Sequence, residues 1–518
     1  MNLLAITLTL PLLGFFIILL LPRNSKASST VALSITAITF LISLGLIAPV
    51  VANPGQFTSI LDSRWVDSPG LQIHLHLSID GINLWLVLLT TLLLPMGVWI
   101  SQTMIQERQR NFFALLLLFE FGLIGVFSAL DLFAFYVFWE VALVPMYLMV
   151  GGWGGARRGP AAVKFFVYTM LGSVLMLGSI IFLHSRTGSF DYVETLNALA
   201  SGRTILSPAE QLLLFLGFFA AFAVKVPIFP LHTWLPNTYA EAPMPATFLL
   251  AAVMSKMGTY GLIRYCLPLF PIGSHRCSSW IVVLAIIGII YGALLALVQP
   301  NIKRLIAYSS LSHLGFIVLG IFTFSQQGAD GAVYQMIAHG ISTGALFLIA
   351  GYLEQRRGSL EISDFGGVAA LAPVLATAFM IAMLASIGLP ALCNFVGEYL
   401  VLQGAALTKF SWAAWASVGV ILSAAYMLWM YQRTFWGKAN DRMRPVSDLA
   451  LRDWAPLLPL IVLMVWLGSY TQSFMPSITS ATTRILDQTR MNDEYRVRLV
   501  LPTALHRSVQ IEKVSHAR

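Results

Sequence analysis

Seven ionisable side chains stand in stretches that are otherwise apolar: Glu140, Lys225, His232, Lys256, His313, His339 and Glu398. Carboxylate, amine and imidazole share one chemistry, the gain or loss of a single proton, so their common substrate would be a proton. The stretch Lys225-Val226-Pro227-Ile228-Phe229-Pro230-Leu231-His232-Thr233-Trp234-Leu235-Pro236 organises the rest. It follows an apolar run, Leu212 to Val224, and its three prolines deny the backbone a regular helix. A charge inside a membrane span must face a protein interior or an aqueous cavity. A backbone break at that depth needs partners within the protein, and transporters place ion sites at such breaks. The structural alternative is a helix that ends at the interface with Lys225 reaching the headgroups.

Glu140 lies within Phe133-Ala134-Phe135-Tyr136-Val137-Phe138-Trp139-Glu140-Val141-Ala142. A carboxylate at bilayer depth costs about 3 kcal/mol even on the lenient translocon scale, so it should be paired or intermittently protonated. Lys225 and Lys256 are the candidate partners, and the small residues around Lys256 allow close helix approach. Asp131 is explained by capping a helix start. Glu140 and one lysine could simply hold the bundle together, but the surplus of buried charge is expensive if only packing is wanted. His313, in Tyr308-Ser309-Ser310-Leu311-Ser312-His313, and His339, in Gln335-Met336-Ile337-Ala338-His339-Gly340, would each alone read as core histidines. With two lysines before them and Glu398 after, they form a polar line. Glu398 follows Gly388-Leu389-Pro390 by eight residues, so each half has one broken span near an ionisable residue. That is the weak internal symmetry of an inverted repeat.

The elements that must position these groups are membrane helices. Hydrophobic residues make up 58% of the chain, charged ones only 10%, and the mean hydropathy of +0.79 excludes an ordinary soluble domain. The formal charge of +8 is therefore no nucleic-acid footprint; Lys and Arg fall largely in loops and the tail. Spans are predicted near 3–21, 30–49, 82–102, 112–129, 131–150, 164–184, 211–229, 243–264, 279–298, 304–322, 333–352, 371–402, 413–435 and 455–474. Each covers about 30 Å of hydrocarbon, which needs roughly 20 residues. The 371–402 segment is too long for one crossing and is expected to be tilted or broken. The first run reads as a retained helix, not a cleaved signal.

The short loops set an expected orientation, with the N-terminus outside. Arg23, Lys26, Arg108, Arg110, Arg157, Arg158, Lys303, Arg304, Arg356, Arg357, Arg433, Lys438, Arg442 and Arg444 then fall on the cytoplasmic or equivalent side. Arg64, Arg186, Arg203, Arg276 and Lys409 fall opposite. The tail cations Arg484, Arg490, Arg496, Arg498, Arg507, Lys513 and Arg518 run against the split, diluted by nearby acids. Between the second and third spans, Leu71 to Leu77 alternates weakly as a strand. His74 and His76 lack a third ligand, so a loop or hairpin is the better reading than a metal site. Cys266, Cys277 and Cys393 have no metal-ligand spacing.

Five motifs carry a resemblance: Val137-Phe138-Trp139-Glu140-Val141 with Pro145-Met146-Tyr147; Ala162-Val163-Lys164-Phe165-Phe166-Val167-Tyr168 with Gly172-Ser173; Lys225-Val226-Pro227 through His232-Thr233-Trp234-Leu235-Pro236 with Glu241-Ala242-Pro243; Lys303-Arg304-Leu305-Ile306-Ala307-Tyr308-Ser309-Ser310-Leu311-Ser312-His313; and Phe395-Val396-Gly397-Glu398. Over about residues 1–475 the chain resembles the antiporter-like, M-type (subunit 4) family of the proton-pumping membrane arm of complex I. The resemblance implies an all-α polytopic fold of about 14 transmembrane helices with two inverted five-helix repeats, each with a broken helix. Residues 1–111 would hold helices 1–3 and their loop, 112–264 the first repeat, 279–435 the second, and 436–518 the last helix and tail.

It further implies that Glu140 and Lys225 form a gating charge pair, that Lys256 is the central relay and that Glu398 feeds the exit, with His232, His313 and His339 carrying protons between them. No cofactor is expected in this subunit; NAD(P)H or ferredoxin and a quinone would be used by the whole complex, with flavin or iron–sulfur centres elsewhere. The expected partners are neighbouring antiporter-like and other membrane-arm subunits and membrane lipids, in a bacterial inner or thylakoid membrane. Subunits of cation/proton antiporters and membrane-bound hydrogenases share the building block, and a non-transporting scaffold is a further alternative. Glu398, where close relatives commonly carry lysine, favours the M type. Leu389-Pro390-Ala391 departs from the family's usual Leu-Pro-Gly, and Glu120 has no assigned role.

Overall fold

A computed structural model describes residues 2–22, 27–68, 71–437 and 446–500, without the side chains of 71 and 490–500. The charge readings on Arg23, Lys26, Lys438, Arg442, Arg444, Arg507, Lys513 and Arg518 lie outside the described residues, and those on Arg490, Arg496 and Arg498 outside the described side chains.

Among the described residues, thirteen helices are long and apolar enough to cross a membrane, and each coincides with one of the sequence-predicted spans. The fourteenth predicted span, 371–402, is two shorter helices, Pro373–Ser386 and Cys393–Thr408. The break between them holds Gly388 at φ +76° and Ala391 at φ +73°. Ala391 thus adopts the left-handed backbone that glycine accepts freely, which costs an alanine about 1–2 kcal/mol. Ala391→Gly should raise the thermal midpoint of the protein and Ala391→Val lower it; the same midpoint for all three would mean the break is unstrained.

The other break follows Pro208–Lys225, whose start is set by Ser207 and Glu210 in a reciprocal capping box. After Lys225 the chain turns through 226–234 before a short helix, Leu235–Glu241. The next span, Met244–Leu269, contains two π-helical segments, Leu250–Met254 and Leu262–Cys266. Nothing in the amino-acid pattern had indicated them. Residues 244–269 and 328–353 are buried throughout, so these two helices form the centre of the bundle. The outer helices present apolar side chains instead, among them Leu13, Leu20, Leu171, Leu213 and Ile421.

The expected hairpin is present: Thr58–Ser68 pairs antiparallel with Leu71–Ile79. His74 Nδ1 lies 2.8 Å from Asp62 Oδ1, and His76 Nδ1 meets Asp191 Oδ2. No group of three or more metal-binding side chains occurs among the described residues. Asp131 caps Leu132–Trp153 by accepting from the amides of Phe133 and Ala134, both at 2.8 Å, and also accepts from His74 N at 3.2 Å. The hydrogen bond to Asp191 raises His76 above its ordinary 6.5, and burial pushes the Asp131 carboxyl up to about 6. The stabilisation from His76 is complete below 6.5 and is lost as pH rises through the raised value; ionisation of Asp131 acts in the same direction. Amides of residues 72–79 should therefore exchange faster, beyond the intrinsic rate change, as pH rises above 6.5. His76→Gln should flatten most of that response, and an unaltered response would place its origin elsewhere.

Candidate proton pathway

Lys256 starts the regular turn between the two π segments, and its ammonium is fully buried. Its Nζ donates to the Ala251 carbonyl at 2.7 Å and the Ser255 hydroxyl at 3.3 Å, and lies 2.8 Å from His339 Nδ1. With Lys256 protonated, His339 Nδ1 is the acceptor and the ring carries its proton on Nε2; with Lys256 neutral, its Nζ can accept instead. That Nε2 is buried without a hydrogen-bond partner in the protein. The His313 ring centre lies 5.6 Å from that of His339. His313 Nδ1 is 2.8 Å from Glu398 Oε1, and its Nε2 is 3.4 Å from the Ser386 hydroxyl. Gln335 Nε2 donates to the same Glu398 oxygen at 3.0 Å. Lys256, His339, His313 and Glu398 thus form one buried line with a single wider step, between the two imidazoles.

Glycines allow this convergence. A Cβ on Gly388 would stand 2.8 Å from Glu398 Oε2, and one on Gly258 would stand 2.8 Å from the Phe222 carbonyl. The second break therefore brings bare backbone against the Glu398 carboxylate, and the Lys256 helix lies close to the Lys225 helix.

Glu140 and Lys225 are not joined. Lys225 Nζ is buried and makes no hydrogen bond, and Glu140 Oε1 likewise has none. The ammonium lies instead over the rings of Trp139, at 5.2 Å, and Phe165, at 5.6 Å. Lys256, the other expected partner of Glu140, is committed to His339. His232 sits on the first break, stacked on Phe229 at 5.6 Å and edge-on to Tyr291 at 5.3 Å, with its Nδ1 buried and unpartnered. Among the described residues, no hydrogen bond carries it into the Lys256–Glu398 line. Near it, Arg157, Lys164, Asn237, Glu241 and Arg304 line a cavity of about 260 Å³. Glu120 is fully buried with neither carboxyl oxygen partnered.

The sequence reading missed a second ionic centre. Arg264 on the Lys256 helix is fully buried, and its Nη2 donates to both Asp80 oxygens, at 2.6 and 2.7 Å. Arg484 also donates to Asp80. The two guanidiniums outweigh burial and bring the Asp80 carboxyl down to about 2. The signal was available, since Arg264 is a cation inside a predicted span, eight residues after Lys256.

The family pattern described as NADH:quinone oxidoreductase/Mrp antiporter, TM, matches residues 129–423, more than half of the chain. The chain belongs to this antiporter-like family. Within the family it is 41% identical over 484 residues to NADH-quinone oxidoreductase subunit M of Rhodobacter capsulatus, covering 90% of this chain and 93% of that one. It is 36% identical to NADH-ubiquinone oxidoreductase chain 4 of Chondrus crispus, covering 94% and 98%. A chain of respiratory complex I from Thermus thermophilus superposes with a TM-score of 0.85 at 32% identity, covering 94% of this chain and 99% of that one. A chain of the Mrp complex from Dietzia shares the antiporter-like fold, with a TM-score of 0.83 at 22% identity and 94% and 98% coverage.

Proposed function

We propose that the chain is the M-type, proton-translocating membrane subunit of a complex I-type quinone oxidoreductase. The observation that carries this reading is the buried line from Lys256 through His339 and His313 to Glu398. Every member exchanges a proton, and no member is needed to cap a helix. Glu140 and Lys225 form the gate: closing the pair holds a proton on the lysine, and separating it sends that proton on towards Lys256. His232 and the basic cavity beside Lys164 serve the entry side. Electrons travel in other subunits, which use NAD(P)H or ferredoxin and a quinone. The apolar outer helices are covered by lipid and by neighbouring membrane-arm subunits.

The two halves are related as inverted repeats. Supporting this, Asp131 pairs as an isolated bridge with Asp191, and Asn301 with Glu361, sixty residues on in both cases. Each of the first residues of these pairs caps a span of its own half. The test is proton uptake per electron in vesicles holding the intact complex. Lys256→Ala and Glu398→Ala at normal subunit content should lower it, and wild-type ratios in both would reject the reading.

Orientation is a separate expectation. Arg158 and Arg186 lie at opposite ends of one 30-residue helix, about 45 Å long at 1.5 Å per residue. A cysteine at 157 should react with an impermeant reagent only from the cytoplasmic or stromal side, and one at 186 only from the other. Labelling of both from one side would overturn the topology.

A further inference from the structure

Among its polar contacts, the last described helix, Met475–Val500, engages two carboxylates of the bundle, Asp330 and Asp80. Thr479 donates to Asp330 Oδ2 at 2.8 Å, and Thr482 donates to Asp330 Oδ1. Asp330 lies on the His339 helix, Gln326–Arg357, nine residues before the histidine. Two residues beyond Thr482, Arg484 donates to Asp80 and, at 2.6 Å, to the Gly55 carbonyl. Asp80 in turn holds Arg264, which lies on the Lys256 helix, eight residues after the lysine. One helix is thereby tied to both of the elements whose side chains meet at the 2.8 Å contact between Lys256 and His339.

The second attachment reaches a π-helical segment. Arg264 lies within the π segment Leu262–Cys266, and its Nε and Nη1 are buried without partners. Among the described residues, its side-chain hydrogen bonds go to Asp80. A π segment accommodates one extra residue, and reverting it to α geometry rotates and shifts whatever lies on that helix. The strap also packs closely on the bundle, since Gly81 leaves no room for a Cβ against the Ser477 carbonyl.

We propose that Met475–Val500 is a positioning strap for the proton pathway. Arg484, acting through Asp80 and Arg264, and Thr479 with Thr482, acting through Asp330, hold Lys256 and His339 in transfer register. The proposal rests on the relay reading of Lys256. Neither end of the strap touches the relay groups, so these are positioning residues. A displacement of about 1 Å at a reacting pair can cost about 100-fold in rate.

The test uses the intact complex reconstituted in vesicles, with proton uptake per electron as the readout and Lys256→Ala as the reference. Arg484→Leu and Thr479→Val/Thr482→Val, at normal subunit content, are expected to lower the ratio as far as Lys256→Ala does. Arg484→Lys should restore most of it, since an ammonium can still reach Asp80. Wild-type ratios in the assembled strap variants, with a depressed ratio in Lys256→Ala, overturn the strap and leave the relay standing. A wild-type ratio in Lys256→Ala overturns the relay and the strap with it. Should Arg484→Leu fail to assemble, the near-isosteric threonine pair decides: a lowered ratio supports the strap, and an unchanged one overturns it.

Discussion

Lys225→Ala and Glu140→Ala, in complexes of normal subunit content, are expected to suppress proton uptake through this subunit. Removing a positioned acid–base group costs about 100- to 10,000-fold in the transfer it serves. The geometry makes the effect specific. Lys225 is held over Trp139 and Phe165 without a hydrogen bond. Desolvated cation–π contacts contribute about 2 kcal/mol each, whereas burying an ammonium costs several kcal/mol. Two such contacts together are of the same order as that cost, so the ammonium is only marginally held, and return of the carboxylate or departure of a proton tips the balance. A purely structural pair would behave differently. Lys225→Ala would then strand a carboxylate and impair assembly, while assembled complexes would pump normally. Redox turnover alone discriminates poorly, because tight coupling would slow it in either case. Wild-type proton uptake per electron in both assembled variants would reject the gate.

Asp80→Leu should destabilise the protein by about 3–5 kcal/mol, the usual cost of leaving one member of a buried ion pair alone. Arg264 has no exposure, and its two Nη2 contacts are both to Asp80. Arg484 is less affected, since it is partly exposed and keeps the Gly55 carbonyl. The double variant Asp80→Leu/Arg264→Met should recover most of the loss, because paired replacement by apolar side chains is often neutral or stabilising. Thermal unfolding of the intact complex checks both. A single variant as stable as the wild type, or a double variant no better than the single, would show that the ion pair is not what holds this end of the Lys256 helix.

The spans were legible because bilayer thickness imposes a length on them, and the thirteen long helices fall where apolar runs of that length occur. Both breaks were announced by proline, at Pro227 and Pro390. The members of the polar line were legible one by one, since an ionisable side chain in an apolar run needs a reason. Their pairing was not. Lys256 stood as a candidate partner of Glu140 and was not paired with His339, because sequence order says nothing about which helices cross. The π segments escaped for a related reason: they are made by i→i+5 bonds within an ordinary apolar composition. Asp80 and Asp330 escaped because each lies at the end of an element, where a carboxylate reads as solvated or capping. Both meet side chains of Met475–Val500, which is distant in sequence.

The two central helices also constrain how the chain is made. Residues 244–269 and 328–353 are shielded from lipid along their whole length in the finished bundle. During synthesis each must enter the membrane before all its neighbours exist. Lys256 and Arg264 together would then cost about 6 kcal/mol on the translocon scale if they met lipid alone. Asp80 precedes them in the chain and is ready when Arg264 emerges, but His339 and Arg484 are made later. Lys256 therefore has no partner from the second central helix until the third quarter of the polypeptide brings His339. Insertion, as well as the stability of the completed protein, therefore bears on how many charges this bundle can carry.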